Sequence, residues 1–136
     1  MKTRIKEEVD LLRGRFPALE HGPNFEWVGV PAFPFPKGRF NKASGPILFV
    51  LPVGYPQTGP DNFFTDVDLR LADGSMPPGF NVGPQSSSGP APMPGNWGWF
   101  SWHPNKWTAA ADIGAGDNLL VFVIGIQMCL RGEEST

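Results

Sequence analysis

An α+β fold, with helices set apart from an antiparallel meander sheet, is what this sequence predicts. Three observations lead there. Ile5, Val9 and Leu12 recur at helical spacing near the start. Several short strand-forming runs follow, each bounded by proline or glycine. Leu119, Phe122, Val123, Ile126 and Leu130 then recur at helical spacing near the end. At 136 residues the chain fits one domain, residues 1–136, with one core.

The first helix is expected over residues 3–15, with Thr3 as its cap and Pro17 stopping it. Lys6, Glu7 and Asp10 decorate its far side. Phe25-Glu26-Trp27-Val28-Gly29-Val30 alternates as a half-buried strand does. The prolines of residues 31–36 make the next stretch an extended edge or a connection. Ile47–Leu51 is continuously apolar and reads as a strand buried on both faces. Tyr55-Pro56-Gln57-Thr58-Gly59-Pro60 is a rigid turn carrying the only tyrosine. Residues 62–71 read as a strand or strand pair that ends at Asp73-Gly74.

From Gly74 to Asn105 there is no Asp, Glu, Lys or Arg. Residues 74–96 alone hold six prolines and five glycines. Met76, Phe80, Val82 and Met93 set this segment apart from a plain linker, so a long, partly ordered surface loop is expected, with Ser86-Ser87-Ser88-Gly89 as its mobile tip. Asp117 is the expected N-cap of the last helix, residues 118–131. Its β-branched residues leave a strand open as the alternative; its length favours helix.

Composition narrows the function. The formal net charge is −2 with no basic stripe, which argues against nucleic acid and against an anionic membrane surface. The apolar runs look too short to cross a membrane, and the charged first residues do not resemble a signal peptide. One cysteine, Cys129, cannot form an internal disulfide, so the expected location is cytoplasmic. No metal or cofactor is expected. Asp61, Asp66, Asp68 and Asp73 lack EF-hand spacing and read as turn and edge carboxylates. Two histidines and one distant cysteine do not make a zinc site, and Gly114-Ala115-Gly116-Asp117 lacks the lysine of a phosphate loop.

The chemistry, if any, is expected at residues 97–107, which carry four of the five tryptophans. Ser101 and His103 sit two residues apart there, and in an extended segment such residues face the same side. A serine needs a base to act as a nucleophile, and a neutral imidazole can serve. The plain structural alternative is a loop hydroxyl and a packed imidazole. Trp97 and Trp99 are expected to pack the long loop on the sheet, and Trp107 to join the core.

Four phrases in order carry a resemblance. They are Pro52-Val53-Gly54-Tyr55-Pro56, Pro60-Asp61-Asn62-Phe63, Leu69-Arg70-Leu71-Ala72-Asp73-Gly74, and Phe100-Ser101-Trp102-His103 before Trp107. With the Tyr-Pro turn and the closing apolar helix, they resemble the ubiquitin-conjugating enzyme (UBC) superfamily, in its divergent bacterial branch of family E conjugating-like proteins. The resemblance implies a UBC-like fold: an N-terminal helix, a four-stranded antiparallel meander, the long Pro/Gly loop and a C-terminal helix. It implies an acyl carrier in a ubiquitin-like conjugation pathway. The implied partners are a ubiquitin-like protein, an activating enzyme and a JAB-type deconjugating peptidase.

Two departures shape the expected site. Classical members carry a cysteine several residues before the closing tryptophan, and this chain has none there. Register with Trp107 puts Ser101 in that slot, so the expected carrier is a serine oxyester. His103 would be its base, and Asn105 or loop N–H groups its oxyanion donors. His103-Pro104-Asn105 spells the classical His-Pro-Asn triplet, but only Lys106 separates it from Trp107, so the match reads as coincidence. Cys129 reads as core. Two alternatives stand beside this: a non-catalytic UBC-like adaptor that binds a ubiquitin-like protein, and a Trp-rich ligand-binding module.

Overall fold

The computed structural model of the chain describes residues 2–83, 85–86 and 89–133. Helix α1 (Lys2–Arg13) leads into β1 (Glu20–His21), β2 (Trp27–Pro34), β3 (Ser44–Val50) and β4 (Phe63–Asp66). Then come β5 (Phe80–Val82), the short β6 (Gln85–Ser86) and β7 (Gly89–Pro90), and β8 (Trp97–Phe100). A 3₁₀ turn at Ile113–Ala115 precedes α2 (Leu119–Leu130).

The α+β class stands, but the sheet is larger than a four-stranded meander. Among the described residues it has six strands in the order β1-β2-β3-β4-β8-β5, with each neighbouring pair antiparallel. β1 adds one edge strand, and the 74–96 segment adds the other. That segment supplies β5, which pairs outside β8, and the β6–β7 hairpin. Ser87 and Ser88, at the expected mobile tip, lie outside the described residues.

One core fills the space between the sheet and the two helices. Val9 and Leu12 of α1 meet Val28, Phe33, Phe49 and Phe63 of the sheet. The α2 face Leu119, Phe122, Val123, Ile126 and Leu130 is buried along its whole length. Burying aliphatic and aromatic side chains like these contributes about 1.5–3 kcal/mol each. Leu48 and Phe64 point to the opposite face of the sheet and are also closed off from solvent. Trp97 and Met93 come down near Leu48 there, and the Trp97 indole N–H donates to the Met93 carbonyl at 3.0 Å.

Several boundaries move. α1 begins at Lys2, so Thr3 lies inside it rather than capping it. β2 begins at Trp27 because Phe25 takes a left-handed φ of 56°. β2 also continues through the prolines to Pro34, with a register shift between Val30 and Phe33. Prolines are tolerated there because β1 pairs only with Val28 and Gly29, so among the described residues no strand pairs with Pro31–Pro34 on that edge. The cap of α2 is Asn118, whose side chain accepts the Val121 N–H at 2.9 Å. Asp117 is engaged elsewhere, accepting the Thr108 N–H at 2.6 Å.

The apolar tail is also longer than expected. Ile113–Leu130 gives an 18-residue window of mean hydropathy 1.7, enough by length and composition to cross a membrane. The six residues before α2 fill out the window without extending the helix. The 12 residues of α2 reach only about 18 Å at 1.5 Å each, against a bilayer core of about 30 Å. One face of α2 lies in the protein core.

Candidate functional site

β8 delivers the tryptophan-rich segment to the sheet. Its residues alternate, with Gly98 and Phe100 buried and Trp97 and Trp99 half-buried. Phe100 faces the core, stacked on Phe63 at 4.9 Å. The ladder runs one residue past the strand, because the Ser101 N–H donates to the Gly79 carbonyl at 2.8 Å. Gly79 is held by a turn in which the Phe80 N–H donates to the Pro77 carbonyl at 3.2 Å. Pro78 and Gly79 (φ 75°) occupy its central positions, as a type II turn demands.

The other flank of Ser101 is pinned by Asn62. This residue is buried with φ 66°, and its N–H donates to the Trp102 carbonyl at 2.7 Å. Its side-chain oxygen accepts the Trp102 N–H at 3.3 Å. Asparagine tolerates this backbone better than most residues. The Pro60-Asp61-Asn62-Phe63 phrase thus fixes the segment that holds Ser101.

Trp102 points inward against Phe63 and Phe122, with ring centroids at 5.9 and 5.4 Å. Gly125 of α2 makes room, since a Cβ there would come 2.7 Å from the indole. Trp107 packs beside Tyr55 at 5.9 Å and donates its indole N–H to the Pro56 carbonyl at 2.7 Å. A Cβ on Gly59 would come 2.5 Å from that indole. Between the segment and α2 lies a cleft of about 170 Å³, lined by Trp102, Pro104, Lys106, Asp117, Val121 and Ile124 among others.

Ser101, His103 and Asn105 are all exposed. His103 Nδ1 lies 3.0 Å from the Pro104 carbonyl. A carbonyl only accepts, so Nδ1 carries the proton and the neutral ring keeps its lone pair on Nε2. That contact turns the imidazole to its own backbone, and no hydrogen bond joins it to Ser101 among those described. Cys129 is half-buried on α2, and burial pushes its thiol up to about 11, with nearby Arg39 opposing. A thiol so raised is almost wholly protonated near neutral pH and is a poor nucleophile.

Tyr55 anchors the turn. Its hydroxyl donates to Glu8, a fully buried carboxylate of α1. Burial first, and Glu8 second, hold the phenol far above its ordinary range, so it stays protonated. Glu8 also accepts from Arg4 Nε and from the Leu119 N–H, each at 2.8 Å. This network escapes sequence reading: a Glu on a surface-type helix gives no local sign that it caps another helix. The acidic residues have their own partners. Lys42 holds Asp66 and Asp68, and the Ser75 hydroxyl holds Asp73. Among the described residues no three His, Cys, Asp or Glu side chains gather as a metal set.

Residues 15–131 match the sequence profile of prokaryotic E2 family E. The chain belongs to that family. No curated protein and no solved structure matches it. The match spans β1 to the end of α2, so this family E domain includes the Tyr55 turn, the pinned Ser101 segment and Trp107. Family E membership places the protein in ubiquitin-like conjugation in general, in the company of a ubiquitin-like protein and an activating enzyme.

Proposed function

We propose that this family E protein carries the C-terminal acyl group of a ubiquitin-like protein as an oxyester on Ser101. It receives the group from an activating enzyme and passes it to an amine on a target. A JAB-type peptidase would reverse the modification in the same pathway. The observation that carries this reading is the placement of Ser101: exposed at the end of β8, with backbone fixed from both flanks by Gly79 and Asn62. The only cysteine is a half-buried, protonated thiol on α2.

In the loading step Ser101 Oγ attacks the thioester carbonyl carbon of the activating enzyme. A C–O bond forms and the C–S bond breaks. The Oγ proton passes to His103 Nε2 and on to the leaving thiolate. His103 serves with its Nδ1–H held by Pro104, and Ser101 Oγ turns toward Nε2 directly or through one water.

Incubation with activating enzyme, ATP and ubiquitin-like protein should give an adduct that survives thiol reductant and is released by hydroxylamine. Ser101→Ala should abolish it; an undiminished adduct on Ser101→Ala refutes the assignment. One observation favours a second reading, the non-catalytic adaptor: His103 bonds to Pro104 and not to Ser101. Binding of the ubiquitin-like protein with no adduct would select the adaptor.

A further inference from the structure

We infer that Asn81 donates the hydrogen bond that holds the acyl carbonyl oxygen on Ser101; this rests on the acyl-carrier reading above. Asn81 lies on β5, directly opposite Trp99 of β8. Ser101 is two residues on from Trp99, so its side chain and that of Asn81 share one face of the sheet as diagonal neighbours. A single oxygen ties them together. The Gly79 carbonyl accepts the Ser101 N–H at 2.8 Å and the Asn81 side-chain amide at 3.2 Å. The Asn81 amide is therefore directed along β5 toward the Ser101 row.

An amide nitrogen carries two protons. One is spent on Gly79 and fixes the group, which leaves the second to meet a developing oxyanion. Nothing intervenes from the opposite strand, because the residue facing Ser101 is Gly79, which has no side chain and whose added Cβ would still lie 3.8 Å from the Ser101 carbonyl. Asn105 is exposed beyond the inward turn at Trp102 and outside the ladder. When Ser101 Oγ attacks, negative charge collects on the former carbonyl oxygen, and a fixed donor there lowers the barrier.

The test uses the full chain and a fluorophosphonate, whose phosphorus is attacked by an activated serine with loss of fluoride and whose oxygen mimics the oxyanion. The proton from Oγ goes to His103. Labelling is located by peptide mass mapping, and its rate is followed against pH. Wild type should label at Ser101. Asn81→Ala should label about 10²-fold more slowly. Asn81→Asp, similar in shape but without donors, should be at least as slow. Both should keep the wild-type pH midpoint, since the base is untouched, and the wild-type melting temperature, since Asn81 is exposed. Equal rates in wild type and Asn81→Ala overturn the Asn81 role and leave Ser101 standing. A slower rate with a shifted midpoint places the loss in the base and also overturns it. No labelling of Ser101 in wild type overturns the activated serine and the Asn81 role together.

Discussion

The carboxylate of Glu8 accepts the backbone N–H of Leu119, the first residue of α2, at 2.8 Å and fully out of solvent. A side chain from α1 therefore satisfies a donor at the start of the helix that backs the site. The negative charge also sits where the helix dipole favours it.

Removing that carboxylate leaves the Leu119 N–H, the Tyr55 hydroxyl and the Arg4 Nε–H without their acceptor. Glu8→Ala should cost about 3–5 kcal/mol, as breaking a buried charged contact does. Tyr55→Phe removes one hydrogen bond and should cost about 1–2 kcal/mol. Because both act on one network, the double variant should lose less than the two single losses combined. Urea unfolding of the three variants checks this.

Gly59 lies in the turn that Tyr55 opens, against the Trp107 indole. Any Cβ there would press on the Trp107 indole at 2.5 Å. Gly59→Ala should destabilise by about 1–3 kcal/mol through overpacking. Combining it with Trp107→Ala should remove most of that penalty, since the obstructing ring is gone. Chemical denaturation of the pair measures the coupling.

Gly125 sets two effects against each other. Alanine is the better helix former by about 1 kcal/mol. Its Cβ would meet Trp102 at 2.7 Å, and the strain of displacing a ring packed on Phe63 and Phe122 is about 1–3 kcal/mol. Strain should win, so Gly125→Ala should lower the melting temperature. It should also slow adduct formation on Ser101, because Trp102 seats the neighbouring backbone.

The folded thiol of Cys129 is raised from 9.0 to about 11 by burial. Through that window the unfolded chain has lost its proton while the folded chain keeps it. This contribution to stability is therefore complete below pH 9 and lost as pH rises toward 11. Cys129→Ala should flatten this part of the alkaline decline in unfolding midpoints. At neutral pH Cys129 should alkylate slowly, and the Cys129→Ala protein should still form the adduct.

At the acid end the sign reverses. A hydrogen bond from Lys6 lowers Asp10, one from Lys42 lowers Asp68, and one from Ser75 lowers Asp73, each below the ordinary 3.8. Their contribution is present above that value and fades as pH falls through the lower folded values. All three are exposed pairs, so added salt should shrink the effect of the two that involve lysine, which unfolding midpoints at low pH can show.

The helix faces were legible because periodicity is local. Val9 and Leu12, and the five α2 residues, are buried where their spacing puts them. Ile47–Leu51 was legible as an unbroken apolar run, and β3 takes in all of it but Leu51. The cap of α2 fell one residue away: Asp117 and Asn118 are both good caps, and only the distant Thr108 decides which is free for the task. β5 was not legible. Three residues in a segment without periodicity become a strand only because β8, some fifteen positions on, offers an edge. At the site, sequence register singled out Ser101 and its spacing to His103. It carried no sign of Asn81 or Asn62, whose roles depend on pairings across the sheet.

The strand order β4-β8-β5 also bears on timing. After β4 the chain leaves the sheet, lays down the segment that becomes β5, and only then returns β8 to the gap between them. Neighbours in sequence cannot zip this part of the sheet in order, so closing a long loop precedes its gain. Ser101 therefore sits in the portion of the sheet that assembles late and, beside a three-residue edge strand, opens early. Amide exchange at Ser101 should be faster than at Phe49, in the middle of the sheet.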